Sequence, residues 1–217
     1  MSCRRLSLCL LLLLNCVPAC ASDAEDLFYK DVSEVNDGEL RFLVKAPDKP
    51  VHHHQNQIII DDDSLKTGWI HLHQCHSHLD AVPRSQVVFR EGFVRGLRIL
   101  SADGIGHAWV EGPTVQLEGV ESDAQLCLQA DTRALSPLTD HAYFLRNGPY
   151  MRRFLDGYYP MQLSLSVHLD TSKLRFIGIT PPPQPGFQVK ATDGDVAVEG
   201  LFEGRLRTEM RFEAIPP

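Results

Sequence analysis

The sequence predicts an all-β fold, antiparallel sheets packed as a sandwich or curled toward a barrel, with one short helix near residues 149–156. Three observations carry this. Gln162, Leu163, Ser164, Leu165, Ser166, Val167, His168 and Leu169 alternate strictly between polar and apolar, which puts the apolar set on one face of a strand. Further short runs of strand composition lie at 39–44, 57–60, 69–75, 86–89, 95–100, 107–110, 114–117, 125–129, 173–179, 187–191, 196–202 and 205–212. Glycine or proline punctuates nearly every gap, and helical periods of about ten to fifteen residues do not intervene, which argues against alternating strand-helix units.

At the start of the chain, Arg4 and Arg5 precede an apolar run at 6–14 that closes on Pro18, Ala19, Cys20 and Ala21. This pattern predicts a signal peptide over residues 1–21 and a mature chain beginning at Ser22. The run is too short to span a bilayer, which takes about twenty residues, and no later stretch approaches that length, so no transmembrane segment is expected. Val17, Pro18, Ala19 and Cys20 loosely resemble a bacterial lipobox, which makes a lipid anchor at Cys20 the less favoured alternative. The expected location is periplasmic or secreted, with an outer-membrane lipoprotein less favoured.

Loss of the leader also changes the cysteine and charge accounts. Of six cysteines, Cys3, Cys9, Cys16 and Cys20 lie in it, leaving Cys75 and Cys127. In an oxidising compartment these two are expected to form one disulfide, placed between sheets. Removing Arg4 and Arg5 takes the formal net charge from -7 to -9 (-7 minus two positive charges). A non-specific nucleic-acid binder needs the opposite sign, so nucleic acid is not an expected partner.

Residues 22–56 read as a partly irregular N-terminal segment containing Pro47 and Pro50, and residues 57–217 as a single all-β domain. The run Pro181, Pro182, Pro183, Gln184 and Pro185 leaves too little chain after it for a second core, so it reads as a stiff connection between strands or sheets. The predicted helix rests on Met151, Phe154 and Leu155, spaced three and four apart, with Pro149 at the first turn and Gly157 at the stop. That helix would commit these three side chains to the core, turn Arg152 and Arg153 outward, and pair Arg152 with Asp156.

Two constellations are candidates for function. Residues 143–160 concentrate tyrosine and arginine, the composition of binding hot spots, and nominate Arg146, Tyr150, Arg152, Arg153, Tyr158 and Tyr159 as a site for a protein or a small anionic ligand. The second is the strand bearing His71, His73, Cys75, His76 and His78. His71, His73 and Cys75 share one face, imidazole with thiolate suits zinc or copper, and His52, His53 and His54 could supply further ligands; the competing expectation is an exposed histidine face with Cys75 bonded to Cys127.

Catalytic motifs are missing. There is no nucleophile-elbow pattern, no phosphate loop and no H-E-x-x-H, and Gly104-Ile105-Gly106 lacks the third glycine of a dinucleotide fingerprint. Asp61, Asp62, Asp63 and Ser64 read as a solvated turn rather than a calcium loop. The sequence therefore points to an exported cell-envelope binding or interaction protein, non-enzymatic and without a cofactor. A zinc- or copper-handling protein is the alternative, and a hydrolase with an unrecognised site the third.

Overall fold

A computed structural model describes residues 36–139 and 141–215; the signal peptide expected at 1–21 lies outside them. The strands are β1 (Arg41–Phe42), β2 (His53–Ile60), β3 (Trp69–Leu79), β4 (Val82–Val88), β5 (Val94–Glu111), β6 (Thr114–Arg133), β7 (Leu135–Thr139) and β8 (Ala142–Tyr150). They continue with β9 (Arg152–Phe154), β10 (Gly157–Tyr159), β11 (Met161–Leu169), β12 (Leu174–Thr180), β13 (Phe187–Thr192), β14 (Asp195–Glu203) and β15 (Leu206–Ala214). A helix, α1 (Asp62–Thr67), joins β2 to β3. The fold is all-β, and among the described residues no helix is long and apolar enough to cross a membrane.

The larger sheet runs β1-β14-β11-β2-β3-β6-β4, with β13 on β14 and β5 on β6; the smaller runs β12-β15-β8-β7. All pairings are antiparallel except β2 with β11. The alternation at 161–169 works as the sequence predicts. Met161, Leu163, Leu165 and Val167 are buried and pack with Ile58, Ile70 and Leu72 of the larger sheet and Leu145, Met210 and Phe212 of the smaller. The proline run carries the chain from β12 in the smaller sheet to β13 in the larger. The expected boundary between residues 56 and 57 falls inside β2, and β1 pairs with β14, so residues from 41 onward contribute to the same sheet.

A second cluster, centred on Val115, Leu117, Leu126 and Leu128, fills the arm made by β4, β5 and β6. The separate expectations at 95–100 and 107–110 merge into β5, and those at 114–117 and 125–129 into β6. Glycine permits this. A Cβ at Gly119 would meet Gly106 at 3.7 Å, and one at Gly104 would lie 3.2 Å from the Ala124 backbone, so the long hairpin bends where these backbones approach. Gly104 and Gly106 thus serve a bend of the sheet.

The predicted helix at 149–156 is absent. Tyr150 ends β8 opposite Leu206, and β9 and β10 form a hairpin pairing Phe154 with Gly157 and Arg152 with Tyr159. Leu155 is fully exposed, while Met151 and Phe154 are each 37% exposed, so none of the three enters the core. Two turns of helical spacing are a weak signal beside strand-favouring aromatics that find cross-strand partners. Tyr158 is buried and accepts a hydrogen bond from Arg205 Nε at 2.6 Å, and Asn36 bridges to it along the backbone. The Arg152–Asp156 pairing is replaced by Arg152 with Asp80 and by Asp156 with the Tyr159 hydroxyl.

The one helix lies instead where a solvated turn was expected. Asp61 caps it, accepting from Ser64 N–H at 2.8 Å while the Ser64 hydroxyl accepts from Asp61 N–H at 3.1 Å, and Gly68 at φ 80 ends it.

Phe212 is fully buried whereas Phe154 rests edge-on against Tyr159 at the surface. Phe212→Ala should therefore cost about 3–5 kcal/mol in urea unfolding, and Phe154→Ala less than about 1 kcal/mol. Equal losses would contradict the hairpin placement.

Candidate functional site

The inner face of the larger sheet changes character along β2 and β3. On β2 the inward residues are His54, Asn56, Ile58 and Ile60; on β3 they are Ile70, Leu72, Gln74 and His76. Their register sets Ile58 against Leu72, Asn56 against Gln74, and His54 against His76. One half of this strip is core hydrocarbon and the other half is polar. All four polar residues are more than nine-tenths buried, as is Tyr150 from β8 in the smaller sheet.

Buried polar groups are tolerated when they bond one another. Gln74 Nε2 donates to His76 Nε2 at 2.7 Å, which leaves Nδ1 of the neutral ring to carry the proton and donate to His52 Nε2 at 2.9 Å. In parallel, His54 Nε2 donates to Asn56 Oδ1 at 2.9 Å, and Asn56 Nδ2 donates to the Tyr150 hydroxyl oxygen at 3.0 Å. The two chains meet through rings: His54 stands edge-on to His76 and to Tyr150, with centroids 4.4 and 4.8 Å apart.

Burial disfavours the charged imidazole. It lowers the pKa of His52 to about 4, against a partial opposing pull from Asp80, lowers His54 to about 3, and holds His76 well below its ordinary value. Burial likewise pushes the Tyr150 phenol up. At neutral pH the cluster is polar and uncharged.

It opens into a cavity of about 650 Å³ between β3, β4 and β6 on one side and β8 on the other. Apolar side chains, among them Leu72, Phe89, Leu117, Phe144 and Met161, form much of the wall. Among the described residues, the charged side chains on it are Arg90, Arg133 and Arg146, with no aspartate or glutamate. A mostly apolar groove with a few convergent polar groups has the form of a small-molecule site, and its volume lies in the range of about 300–1,000 Å³ typical of them.

The six residues nominated in 143–160 do not converge. Arg146 and Tyr150 line the groove. Arg152 is spent on Asp80, donating from Nε to the carboxylate at 2.8 Å and from Nη1 to the Pro160 carbonyl at 3.2 Å. Arg153 lies over the ring of Tyr158, and Tyr159 bonds Asp156.

The histidine strand is likewise divided between two faces. Cys75 is bonded to Cys127, its direct cross-strand neighbour, with Cα atoms 4.1 Å apart. The bridge thus joins adjacent strands of one sheet on the outer face, rather than two sheets. His71 and His73 share that face, His76 points inward, and His78 sits at φ 54 beside Asp123. His71 is held between Asp131 at 2.7 Å and Asp61 at 3.1 Å, which raise its pKa. Among the described residues, no group of three or more histidine, cysteine, aspartate or glutamate side chains is arranged to hold a metal ion.

One serine meets a histidine. His53 Nε2 lies 2.7 Å from Ser164 Oγ, and Ser164 donates its hydroxyl proton to Glu199 at 2.7 Å. The imidazole is then the donor to serine and the carboxylate grips the serine rather than the ring, the reverse of the order a serine nucleophile requires.

The sequence reading missed Asn56 and Gln74 and took His52 and His54 as further metal ligands rather than as part of a buried polar cluster. Alternation carries the signal: stepping back by twos from Ile60 through Ile58 reaches Asn56 and His54 on the same inward face. No protein-family model matches the chain, and no curated protein matches it.

The depressed histidine pKa values fix the sign of a pH effect. Folded values near 4 and 3 lie below the unfolded value of 6.5, so acid protonates the unfolded chain first. Stability is fully present above pH 6.5 and is lost as pH falls toward 4. Each such histidine removes about 1.4 kcal/mol per pH unit inside that window. His71 acts oppositely, its contribution fading as pH rises through its raised value, but it is half exposed and solvent screening keeps that small. Urea unfolding should therefore show a steep loss from about pH 6.5 to about pH 4.5 that His52→Gln reduces; a flat profile contradicts the buried neutral cluster.

Proposed function

We propose that this chain is an exported binding protein that takes a small ligand into the groove between its two sheets and does no chemistry on it. The observation that carries this reading is the buried, uncharged cluster of His54, Asn56, Gln74, His76 and Tyr150, joined by the part-buried His52 and opening onto a cavity of about 650 Å³. A core that served stability alone would fill this strip with hydrocarbon. Polar side chains that bond mainly to each other gain little over apolar ones of the same shape, whereas polar side chains facing a cavity can read a ligand.

Export is supported by the leader at 1–21 and by the Cys75–Cys127 disulfide, a bond that persists in oxidising compartments. An anionic ligand agrees with the three arginines on the wall.

Native mass spectrometry of the disulfide-bonded protein recovered from the envelope or medium of its producing cells tests this. The expected result is a mass excess of a small molecule that disappears on denaturation and returns when the organic extract is added back. A bare mass before denaturation, with no component of the extract rebinding, would overturn the proposal.

A further inference from the structure

The two ends of the groove differ in chemistry. Along β6 its wall runs from Leu126, paired with His76, to Thr132, paired with Ile70. Six steps along a strand span about 20 Å, so the groove is long.

At the Thr132 end, Phe93 N–H donates to the Arg90 carbonyl at 3.0 Å, and the Phe93 carbonyl accepts from Arg133 N–H at 3.0 Å. The turn after β4 is thereby tied to the end of β6, which brings Arg90 and Arg133 to one mouth. Arg146 beside them is held by Glu209 at 2.8 Å, but Arg90 and Arg133 form no ion pair among the described residues, and Arg90 lies over the Phe93 ring at 3.9 Å. With no carboxylate on the wall among the described residues, Arg90 and Arg133 give this end a positive character.

At the His76 end, the internal bonds leave valences open. His54 uses Nε2 as donor, so Nδ1 is an acceptor that no bond among the described residues reaches. The Tyr150 oxygen accepts from Asn56, and its hydroxyl hydrogen is unspent among the described residues. Together Tyr150 and His54 offer a donor and an acceptor with no net charge. A hydroxyl or an amide answers both; a carboxylate cannot donate, an ammonium cannot accept, and either would enter a buried site without a countercharge.

We propose that the ligand is an elongated amphiphile with an anionic group at Arg90 and Arg133, an aliphatic body along Leu72, Phe89 and Leu117, and a hydroxyl or amide at Tyr150 and His54. This rests on the binding reading above and deepens it. Carboxylate and phosphate share the chemistry of the first end, so both enter the test.

The experiment is isothermal titration of the mature, disulfide-bonded protein with omega-hydroxydodecanoate, dodecanoate, dodecyl phosphate and dodecanol. Omega-hydroxydodecanoate should bind about tenfold more tightly than dodecanoate, and both anions more tightly than dodecanol, an advantage that salt diminishes. Whichever of dodecyl phosphate and dodecanoate binds better identifies the anion, and either order supports an anionic end. Arg90→Gln with Arg133→Gln should remove the advantage of the anions over dodecanol. Tyr150→Phe, which keeps the ring and its packing, should erase the preference for the omega-hydroxyl while leaving dodecanoate affinity within about twofold.

Salt-insensitive binding with dodecanol equal to the anions would overturn the anionic end, and an omega-hydroxyl preference surviving Tyr150→Phe would overturn the polar end. If no probe binds while native mass spectrometry finds a ligand of another class, the amphiphile is wrong and the binding groove stands. If the protein also carries nothing, both fall.

Discussion

The register between β2 and β3 imposes a condition that the rest of the molecule has to meet. It sets His54 beside His76 and Asn56 beside Gln74 on a face that the smaller sheet covers, so four polar side chains are withdrawn from water together. Leaving any of them unbonded would cost about 1–3 kcal/mol, and charging a ring would cost more. Satisfaction comes from Tyr150, which the smaller sheet supplies, and from His52, which precedes β2. The same cluster that must be satisfied also prevents the two sheets from closing over plain hydrocarbon, and the cavity lies beside it.

The surroundings hold that geometry from three sides. Cys75 lies between Gln74 and His76 in sequence and points the other way, so its bond to Cys127 clamps β3 to β6 directly behind the cluster. Closing a loop with a sequence separation of 52 residues stabilises the fold by about 4 kcal/mol in the chain-entropy picture. Arg152 reaches from β9 to Asp80, fixing the hairpin of β9 and β10 against the turn after β3. Below the polar rows, Ile58, Leu72, Leu163 and Phe212 form ordinary core, so the polar strip is anchored to a well-packed layer.

Much of this was open to a reader of the sequence. The strand from Met161 to Leu169, the single disulfide and the proline crossing between sheets all follow from alternation, punctuation and cysteine count, whereas the continuity of β5 and of β6 across their glycines does not. The polar cluster was in principle visible too, because His54 and Asn56 share parity with Ile58 and Ile60. Pattern alone obscures it, because polar residues on a strand ordinarily face solvent and because His71, His73 and Cys75 form a denser row on the opposite face. Other features are beyond local pattern. Arg152 and Asp80 are 72 residues apart, and nothing near either names the other. The misplaced helix shows the limit of a two-turn periodicity, which cross-strand pairing of Tyr158 and Tyr159 outweighs.

The claim on which the account stands is that the inward histidines are buried, neutral and fixed in complementary tautomers. Heteronuclear NMR of the imidazole nitrogens during a pH titration observes this directly. His54 should remain neutral with its proton on Nε2, and His76 neutral with its proton on Nδ1, down to about pH 5, while solvent-exposed His71 keeps its proton above the ordinary value. Titration of His54 and His76 together near pH 6.5, as free imidazoles do, would contradict it.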